Sequence, residues 1–338
     1  MKRGMMVFVP VIAILLVCGV SGAGLGEEIQ KTFDGIETVK LSTVSGDCIV
    51  KTHSSDEVVV ELFYDVEPKK AFKYKIRESG STLIIKERWG NGSSSGEVRW
   101  TLTVPAETEI EFSSASGDLT AEGLAKSIES STASGDVELH DIGGDIEISA
   151  ASGDIEIMGS TGDVEVSTAS GDITVEDCTG EIELSTASGD IDATQVGEEI
   201  EFSTASGDVE VSDSKGEFNL SCASGSVTAE NITVTGESRF STASGEVEVS
   251  LAETAEYDLT LSSASGDVVL DYNGNPVKGY FEFEARKSGS RIVCPFDFDD
   301  EEEFEHYDHT YVRKSFSRKG KTPEVHLSTS SGKAVLKK

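Results

Sequence analysis

Six aspartates recur at intervals of 18 residues, each directly after a glycine: Asp118, Asp136, Asp154, Asp172, Asp190 and Asp208. Carboxylate oxygens are ligands for Ca²⁺, and they also accept hydrogen bonds from the backbone at turns. Calcium-binding β-rolls use nonapeptides of the type Gly-Gly-x-Gly-x-Asp, whereas most repeats of this chain lack the additional glycines. The sequence therefore favours aspartates that cap corners in contact with solvent. Calcium binding by this ladder is the alternative, and no other cofactor is predicted.

Glutamates and hydroxyl residues repeat with the same period. The glutamates alternate with Ile, Val and Leu, so we expect them on an outer strand face, where they stay solvated or dock a basic partner or a cell-wall cation. Hydroxyls at turns usually bond their own backbone, and contact with a sugar or with ice is the alternative. The two columns are Glu129, Glu147, Glu165, Glu183 and Glu201, and Ser131, Ser149, Ser167, Ser185 and Ser203 with Thr132, Thr168, Thr186 and Thr204.

Catalysis has little support in these residues. Acidic β-helix lyases need a basic residue beside their calcium, and between Ala115 and Ser265 the only Lys or Arg residues are Lys126, Lys215 and Arg239. His140 has no Ser or Cys partner in a recognisable motif. Carboxylates are so frequent that they single out no glycosidase pair. We therefore predict that the protein is not an enzyme.

A segment near the C-terminus combines acidic residues with histidines, which are types that bind metals. It runs from Asp297 through His306 to His309. Its spacing matches no known metal site, so we predict a charged, disordered loop over residues 297–309.

The repeating columns require a structural unit of 18 residues that stacks on copies of itself. Each unit consists of two nonapeptides, and each nonapeptide has a turn followed by alternating apolar and acidic residues, as expected for a strand with one buried face. A hexapeptide left-handed helix would instead need apolar residues six positions apart. We predict an all-β fold, a flattened right-handed parallel β-solenoid. In coil 135–152 the inward residues are expected to be Val137, Leu139, Ile142, Ile146, Ile148 and Ala151, and the small last residue recurs as Ala133, Ala169, Ala187, Ala205 and Ala223.

The overall charge and the N-terminus indicate where the chain acts. A net charge of −34 repels nucleic acid and anionic lipid, and it favours metal cations or basic partners. Lys2 and Arg3 precede an apolar run too short for a comfortable membrane span, and Ser21-Gly22-Ala23 fits a signal-peptidase site. We expect export with cleavage after Ala23 and no integral membrane span in the mature chain. A retained anchor or lipid attachment at Cys18 is the alternative.

Four cysteines remain after cleavage. Cys178 and Cys222 lie in different columns more than two coils apart, beyond the reach of a disulfide. Cys48 follows Gly46-Asp47 at an inward position, which predicts a buried thiol.

The chain after the leader resembles the bacterial and archaeal "putative adhesin" family, also described as a Toastrack-like domain of unknown function. The resemblance rests on Val44-Ser45-Gly46-Asp47, on Val104-Pro105 before the array, on the serial Ser-Gly-Asp coils, and on a late copy at Leu327–Gly332 followed by Lys333 in place of Asp. It implies a β-solenoid that is often exported or membrane-tethered and has no known catalytic residues. Some relatives occur in envelope-stress systems.

These observations predict an exported, noncatalytic, adhesin-like β-solenoid that presents an acidic surface to an envelope protein or polysaccharide. A ligand- or ion-sensing domain in envelope stress is the alternative. We divide the chain into a signal peptide (1–23), a β-rich start of the solenoid (24–113), a regular array (114–272), and irregular C-terminal coils (273–338) that contain the acidic loop (297–309).

Overall fold

A computed structural model describes residues 26–90, 95–306 and 308–338, so the leader predicted at 1–23 lies outside the described residues. Apart from one short 3₁₀ helix at Lys69–Ala71, the regular structure of this part consists of strands. Within it we find no helix that is both long and apolar enough to cross a membrane.

The strands fall into three groups along the chain. The first group is β1 (Glu27–Asp34), β2 (Thr38–Ser42), β3 (Asp47–His53), β4 (Glu57–Glu67), β5 (Phe72–Ser79), β6 (Thr82–Trp89) and β7 (Ser95–Pro105). The regular array is β8 (Glu109–Ser114), β9 (Leu119–Glu122), β10 (Ile128–Thr132), β11 (Val137–His140), β12 (Ile146–Ser152), β13 (Ile155–Met158), β14 (Val164–Ser170), β15 (Ile173–Glu176), β16 (Thr179–Ser188), β17 (Ile191–Thr194), β18 (Gly197–Ser206), β19 (Val209–Ser212), β20 (Lys215–Ser224), β21 (Val227–Val234), β22 (Ser238–Ser244), β23 (Val247–Leu251), β24 (Leu259–Ser265) and β25 (Val268–Asp271). The last group is β26 (Gly279–Arg286), β27 (Arg291–Val293), β28 (Asp300–His306), β29 (His309–Arg318), β30 (Glu324–Thr329) and β31 (Lys333–Lys337).

Each coil of the array gives one strand to each of two parallel sheets, which confirms the predicted β-solenoid. The front sheet has the order β5-β6-β2-β8-β10-β12-β14-β16-β18-β20-β22-β24-β30-β26-β29-β28. The back sheet has the order β1-β4-β7-β3-β9-β11-β13-β15-β17-β19-β21-β23-β25-β31-β27. In the middle of the array, equivalent residues of successive coils are paired in register, such as Ile146 with Val164 and Ile155 with Ile173.

The core is a continuous apolar column between the two sheets. In coil 135–152 the predicted inward residues Val137, Leu139, Ile142, Ile146 and Ile148 are all buried. Ala151 is exposed, as are Ala133, Ala169, Ala187, Ala205 and Ala223, so the predicted inward alanine column was wrong. The preceding threonines, Thr132, Thr168, Thr186 and Thr204, are buried instead. A threonine can fill the corner and also bond the backbone there, which an alanine cannot do.

Both ends of the solenoid contain a coil that is inserted out of sequence order. At the N-terminal end, β2 and β3 stack directly on β8 and β9, while β4 to β7 lie outside them. At the C-terminal end, β30 and β31 stack on β24 and β25, and β26 and β27 lie outside them. Both terminal groups include antiparallel strands, which cover the last coils of the apolar column.

The acidic segment predicted as a disordered loop is largely a β-strand. Residues Asp300–His306 form β28, which pairs antiparallel with β29. Its carboxylates have cationic partners across the hairpin, including Glu301 with Lys314 and Glu302 with Arg313, each at 2.8 Å. These cross-strand ion pairs reduce the repulsion that the local sequence alone would suggest.

Candidate interaction surface

A column of glycines forms the corner that precedes every back-sheet strand of the array. Successive coils approach so closely there that a Cβ atom on Gly189 would lie 2.1 Å from the carbonyl oxygen of Gly171. The early and late copies of the motif join this column, because Gly117 meets Gly46 and Gly332 meets Gly266 in the same way. The recurrent glycine is therefore required by backbone contact between coils rather than by a ligand.

The aspartate after each glycine caps the next coil. The Oδ1 atom of Asp154 accepts a hydrogen bond from the Asp172 amide at 3.1 Å, and Asp190 accepts one from Asp208 at 2.8 Å. The same bond links Asp118 to Asp136 and Asp136 to Asp154, both at 2.9 Å. All six predicted ladder aspartates are thus brought together on one exposed corner, and each one binds the backbone of its neighbour through one carboxylate oxygen.

The threonines and the serines of the hydroxyl column differ in burial: the threonines are buried at the corner, and the serines lie toward the surface. The threonine hydroxyls face the glycine corner: Thr132 accepts a hydrogen bond from the Gly135 amide at 2.9 Å, and Thr204 donates one to the Gly189 carbonyl at 3.2 Å. The serines one residue earlier are exposed or half-buried. Thr132, Thr186 and Thr204 therefore bond the backbone of the corner, whereas the Thr168 hydroxyl is buried there with no hydrogen-bond partner among the described residues. The serines are the members of the column that face solvent.

The glutamates form a straight, like-charged ladder on the outer face of the front sheet. Glu111, Glu129, Glu147, Glu165, Glu183 and Glu201 are directly paired in successive parallel strands. Lys40 lies beside Glu111 at 2.5 Å and closes one end of the ladder. At the other end the column continues as Asn219 and then Arg239. Neighbouring strands are about 4.8 Å apart, so each pair of charges repels by roughly 0.9 kcal/mol at the dielectric of water.

A shallow groove of ≈ 450 Å³ runs between this ladder and the corner that precedes each front-sheet strand. Carboxylates line it on both sides: Glu129, Glu147, Glu165 and Glu183 from the sheet, and Asp145, Asp163 and Glu181 from the corner. None of the seven has a Lys, Arg or His partner among the residues described. We name this surface, formed by the glutamate ladder and the groove, the acidic face.

The back sheet carries a more broken acidic column. Glu138 and Glu156 are neighbours, followed by Thr174, Asp192, Glu210 and Thr228. Partial burial, followed by the charges of Asp190 and Asp172, raises the pKa of Asp192. Partial burial and the charges of Asp192, Asp208 and other acidic residues likewise raise the pKa of Glu210. Burial is the larger cause of both shifts, and the neighbouring carboxylates add to it.

Metal-binding and nucleophilic residue types do not gather into a centre. Within the described residues, no three His, Cys, Asp or Glu side chains converge in a way that could hold a metal ion. The four described cysteines are free; Cys48, Cys178 and Cys222 are buried, as predicted for Cys48, and burial raises the pKa of each thiol. His140 lies 2.8 Å from Glu138 on the outside of the back sheet.

Two features of the surface were missed in the sequence. The first is a corner column in the left-handed backbone region, occupied by Gly123, Asp141, Gly159, Asp177, Gln195, Asp213 and Asn231. Its 18-residue spacing and its Asp, Asn and Gly residues are the signal that could have revealed it. The second is Glu87, which is buried beside Gly46, the first glycine of the close-contact column described above. It accepts hydrogen bonds from the Trp100 side chain and from the Val44 amide. Its local sequence gives no sign of this role.

The profile of the Toastrack DUF4097 family matches residues 36–212 and, in a second register, residues 143–291. The chain belongs to the Toastrack DUF4097 family. The two overlapping matches reflect the repeat, because a Toastrack profile fits the same coils in more than one register. No match was found among curated proteins.

Two solved structures are similar to this Toastrack chain. One is described as a "putative cell adhesion protein" from Clostridium sporogenes ATCC 15579, with 10% identity, coverage of 92% of this chain and 99% of the other, and a TM-score of 0.26. The second is described as a "putative adhesin" from Parabacteroides merdae ATCC 43184, with 12% identity, coverage of 76% and 92%, and a TM-score of 0.29.

Proposed function

We propose that this Toastrack protein is an exported, noncatalytic, adhesin-like β-solenoid whose acidic face binds basic or cationic components of the cell envelope. The observation that carries the proposal is the run of six in-register glutamates from Glu111 to Glu201. Like charges directly opposite each other on neighbouring strands are destabilising. Among the described residues, no cation offsets that repulsion in the interior of the ladder, and a bound basic partner would relieve it.

The solenoid supports this role because it is a rigid display scaffold. The strands that carry the ladder are fixed by continuous backbone pairing and by an apolar core, so the spacing of the carboxylates is set before any partner binds. Preorganised charges lose little conformational entropy on binding and give electrostatic complementarity to an opposite surface. The sequence supports export through Lys2, Arg3 and the Ser21-Gly22-Ala23 site.

The experiment measures retention of the purified protein on envelopes isolated from cells that express it. A variant with Glu129, Glu147, Glu165 and Glu183 replaced by Gln removes four charges from the acidic face. The matched control removes four charges from the back sheet through Glu138→Gln, Glu156→Gln, Asp192→Asn and Glu210→Gln. We expect the first variant to lose about tenfold in affinity, equivalent to about 1.4 kcal/mol, and the control to lose less than about threefold.

Equal losses of affinity in the two variants would show that only the total charge matters. An unchanged affinity in the first variant would exclude the acidic face as the binding surface. Export is tested separately by mass spectrometry of the envelope and medium fractions. The expected mature N-terminus is Gly24, and an intact Met1 on a cytosolic chain would contradict it.

A further inference from the structure

The two end strands of the front sheet are unpaired on one side and carry opposite charge. β5 pairs with β6 and with no other strand in the described part of the chain, and β28 likewise pairs only with β29. Cations alternate along β5 as Lys73, Lys75 and Arg77. Anions dominate β28, in which Asp300, Glu301, Glu302, Glu303 and Glu305 are all exposed.

Basic side chains are concentrated at the β5 end and form no ion pairs within the described part of the chain. Lys73 lies opposite Arg88 of β6, and Lys75 lies opposite Lys86, so two like-charged pairs face each other across the hairpin. Among the described residues, none of these four cations nor Arg77 forms an ion pair with an acidic side chain. This patch stands on a chain whose net charge is −34. Directly opposed like charges destabilise a hairpin unless an external anion offsets them.

The acidic end is only partly neutralised from within. Glu301, Glu302 and Glu303 pair with Lys314, Arg313 and Lys287. Asp300 and Glu305 have no cationic partner in the described part of the chain. Over residues 297–318 the sequence has eight Asp or Glu residues and three Lys or Arg residues, so this end keeps an excess of negative charge.

Charges on edge strands normally prevent sheets from pairing edge to edge. Here they repel only like ends: two β5 edges repel each other, and so do two β28 edges. The combination of β5 with β28 is attractive. We propose that copies of this chain associate head to tail, with β5 of one copy along β28 of the next, so that the front sheet continues from one copy into the other.

The back sheet and the stepped shape of the two ends agree with this arrangement. At the N-terminal end the inserted coil is β2 and β3. Beyond it the back sheet has three further strands (β7, β4 and β1) and the front sheet has two (β6 and β5). At the C-terminal end the inserted coil is β30 and β31. Beyond it the front sheet has three further strands (β26, β29 and β28) and the back sheet has one (β27). The longer sheet at one end therefore meets the shorter sheet at the other. The back-sheet edges also differ in charge, with Glu28 on β1 and Arg291 on β27, both exposed.

A head-to-tail contact joins two different surfaces and need not close into a ring, so it produces linear assemblies. The front sheet alone has 16 strands, and at about 4.8 Å per strand each copy would add roughly 75 Å to a rod. This inference concerns self-association and is independent of what the acidic face binds, because the acidic face lies along the side of the rod.

The test is sedimentation velocity of the chain as recovered from cells, at low and high ionic strength. We expect the weight-average mass at low salt to rise at least about threefold with concentration, and to return to that of the monomer in about 0.5 M salt because the attraction is electrostatic. Lys73→Glu with Lys75→Glu reverses the charge of β5, so that carboxylates of β5 face carboxylates of β28. Asp300→Lys with Glu305→Lys replaces the two carboxylates of β28 that have no cationic partner, so that new ammonium groups face the cations of β5. Each double variant alone should remain monomeric.

An equimolar mixture of the two double variants restores opposite ends and should associate again. The matched control, Lys51→Glu with Lys215→Glu, makes the same charge change at exposed positions away from β5 and should associate like the parent. Circular dichroism and thermal unfolding verify that every variant is folded. Monomers at all concentrations of the parent would overturn the proposal. So would continued association of the Asp300/Glu305 variant when the Lys73/Lys75 variant is monomeric, because that result would place the basic end on another acidic surface.

Discussion

Lys333 donates its backbone amide to Asp267 Oδ1 at 2.8 Å and its ammonium group to Asp267 Oδ2 at 2.9 Å. The two residues are 66 positions apart, and the first of these bonds is the same one that joins Asp172 to Asp154 inside the array. The last copy of the motif therefore keeps the backbone cap and replaces the repelling carboxylate by a cation. The hydrogen bond from Lys333 also holds the pKa of Asp267 below its usual range.

Replacing Lys333 by Asp should preserve the amide bond and remove the ion pair. We expect a loss of about 1 kcal/mol or less in the free energy of unfolding, because the pair is partly exposed, and an upward shift of the pKa of Asp267. Thermal unfolding and an NMR titration measure the two effects. Lys321→Asp, an exposed change elsewhere on the C-terminal segment, is the control. An unchanged pKa at Asp267 would contradict the role of Lys333.

The glycine corner predicts two very different alanine substitutions. Gly189→Ala places a Cβ atom 2.1 Å from the Gly171 carbonyl oxygen, whereas the nearest atom to a Cβ on Gly143 is 3.5 Å away. Neither glycine has a positive φ that would add strain of its own. We expect Gly189→Ala to cost about 1–3 kcal/mol through overpacking, and Gly143→Ala to be neutral or slightly stabilising. Denaturant unfolding of both variants decides the matter, and equal costs would refute the contact argument.

Adjacent residues in β12 should respond in opposite ways to substitution. Ile146 is 2% exposed, so Ile146→Asp buries an unpaired charge and should cost several kcal/mol. Glu147 faces solvent between Glu129 and Glu165. Glu147→Lys should change stability by no more than about 1 kcal/mol, and in the stabilising direction, because it interrupts the like-charged ladder. Denaturant unfolding that ranked the two variants the other way would reverse the assignment of the faces.

Calcium and sodium distinguish the two interpretations of the aspartate ladder. If the aspartates only cap corners, millimolar calcium and sodium at matched ionic strength should raise the melting temperature equally. Specific binding would instead add stabilisation that grows as RT ln(1 + [L]/Kd). We expect equal effects, because one oxygen of each carboxylate already accepts a backbone bond.

The control for that comparison is the triple variant Asp154→Asn, Asp172→Asn and Asp190→Asn. An asparagine side-chain oxygen still accepts the amide bond, so the corners should stay folded. Calorimetric titration that showed saturable sites below about 1 mM in the parent, and none in the variant, would make calcium a ligand of the ladder.

The raised pKa values of two back-sheet carboxyls should appear in the pH dependence of stability. Because the pKa values of Asp192 and Glu210 are raised in the folded protein, the folded state holds protons that the unfolded state has released. Their contribution to stability therefore falls as the pH rises from about 4 through the raised pKa values. The contribution of Asp267 to stability depends on pH in the opposite direction. It is present above the unfolded pKa of Asp267 and is lost as the pH falls through the lowered folded value.

The variant Asp192→Asn with Glu210→Gln should melt at a higher temperature than the parent at pH 7. The difference should disappear below about pH 4, where these carboxyls are protonated in both the folded and the unfolded parent. Asp267→Asn serves as the comparison, because it should lower the melting temperature at pH 7. Melting curves from pH 3 to pH 8 measure all three proteins, and a destabilised double variant at pH 7 would contradict the prediction.

Much of the array could be predicted from the sequence, because a short fixed period leaves little freedom. Residues that recur every 18 positions must stack if the coils stack, and alternation in a strand assigns Ile146 inward and Glu147 outward. The corner was less predictable. A small apolar Ala133 and a polar Thr132 are both compatible with an inward position, and hydrogen bonds between threonines and the glycine backbone of the corner favour the threonine.

Only the tertiary structure decided the order of the coils at the ends and the form of the acidic segment. Asp118 donates its amide to Asp47 across 71 residues, and no local pattern encodes that separation. Asp300–His306 forms a strand rather than a loop because β29 supplies cations opposite its carboxylates. The composition of the segment itself cannot show this pairing. The sequence by itself determined the period, the columns and the buried strand faces, since these follow from local spacing. Which coil becomes the neighbour of which depends on long-range pairing, and that is resolved only when the whole chain has folded.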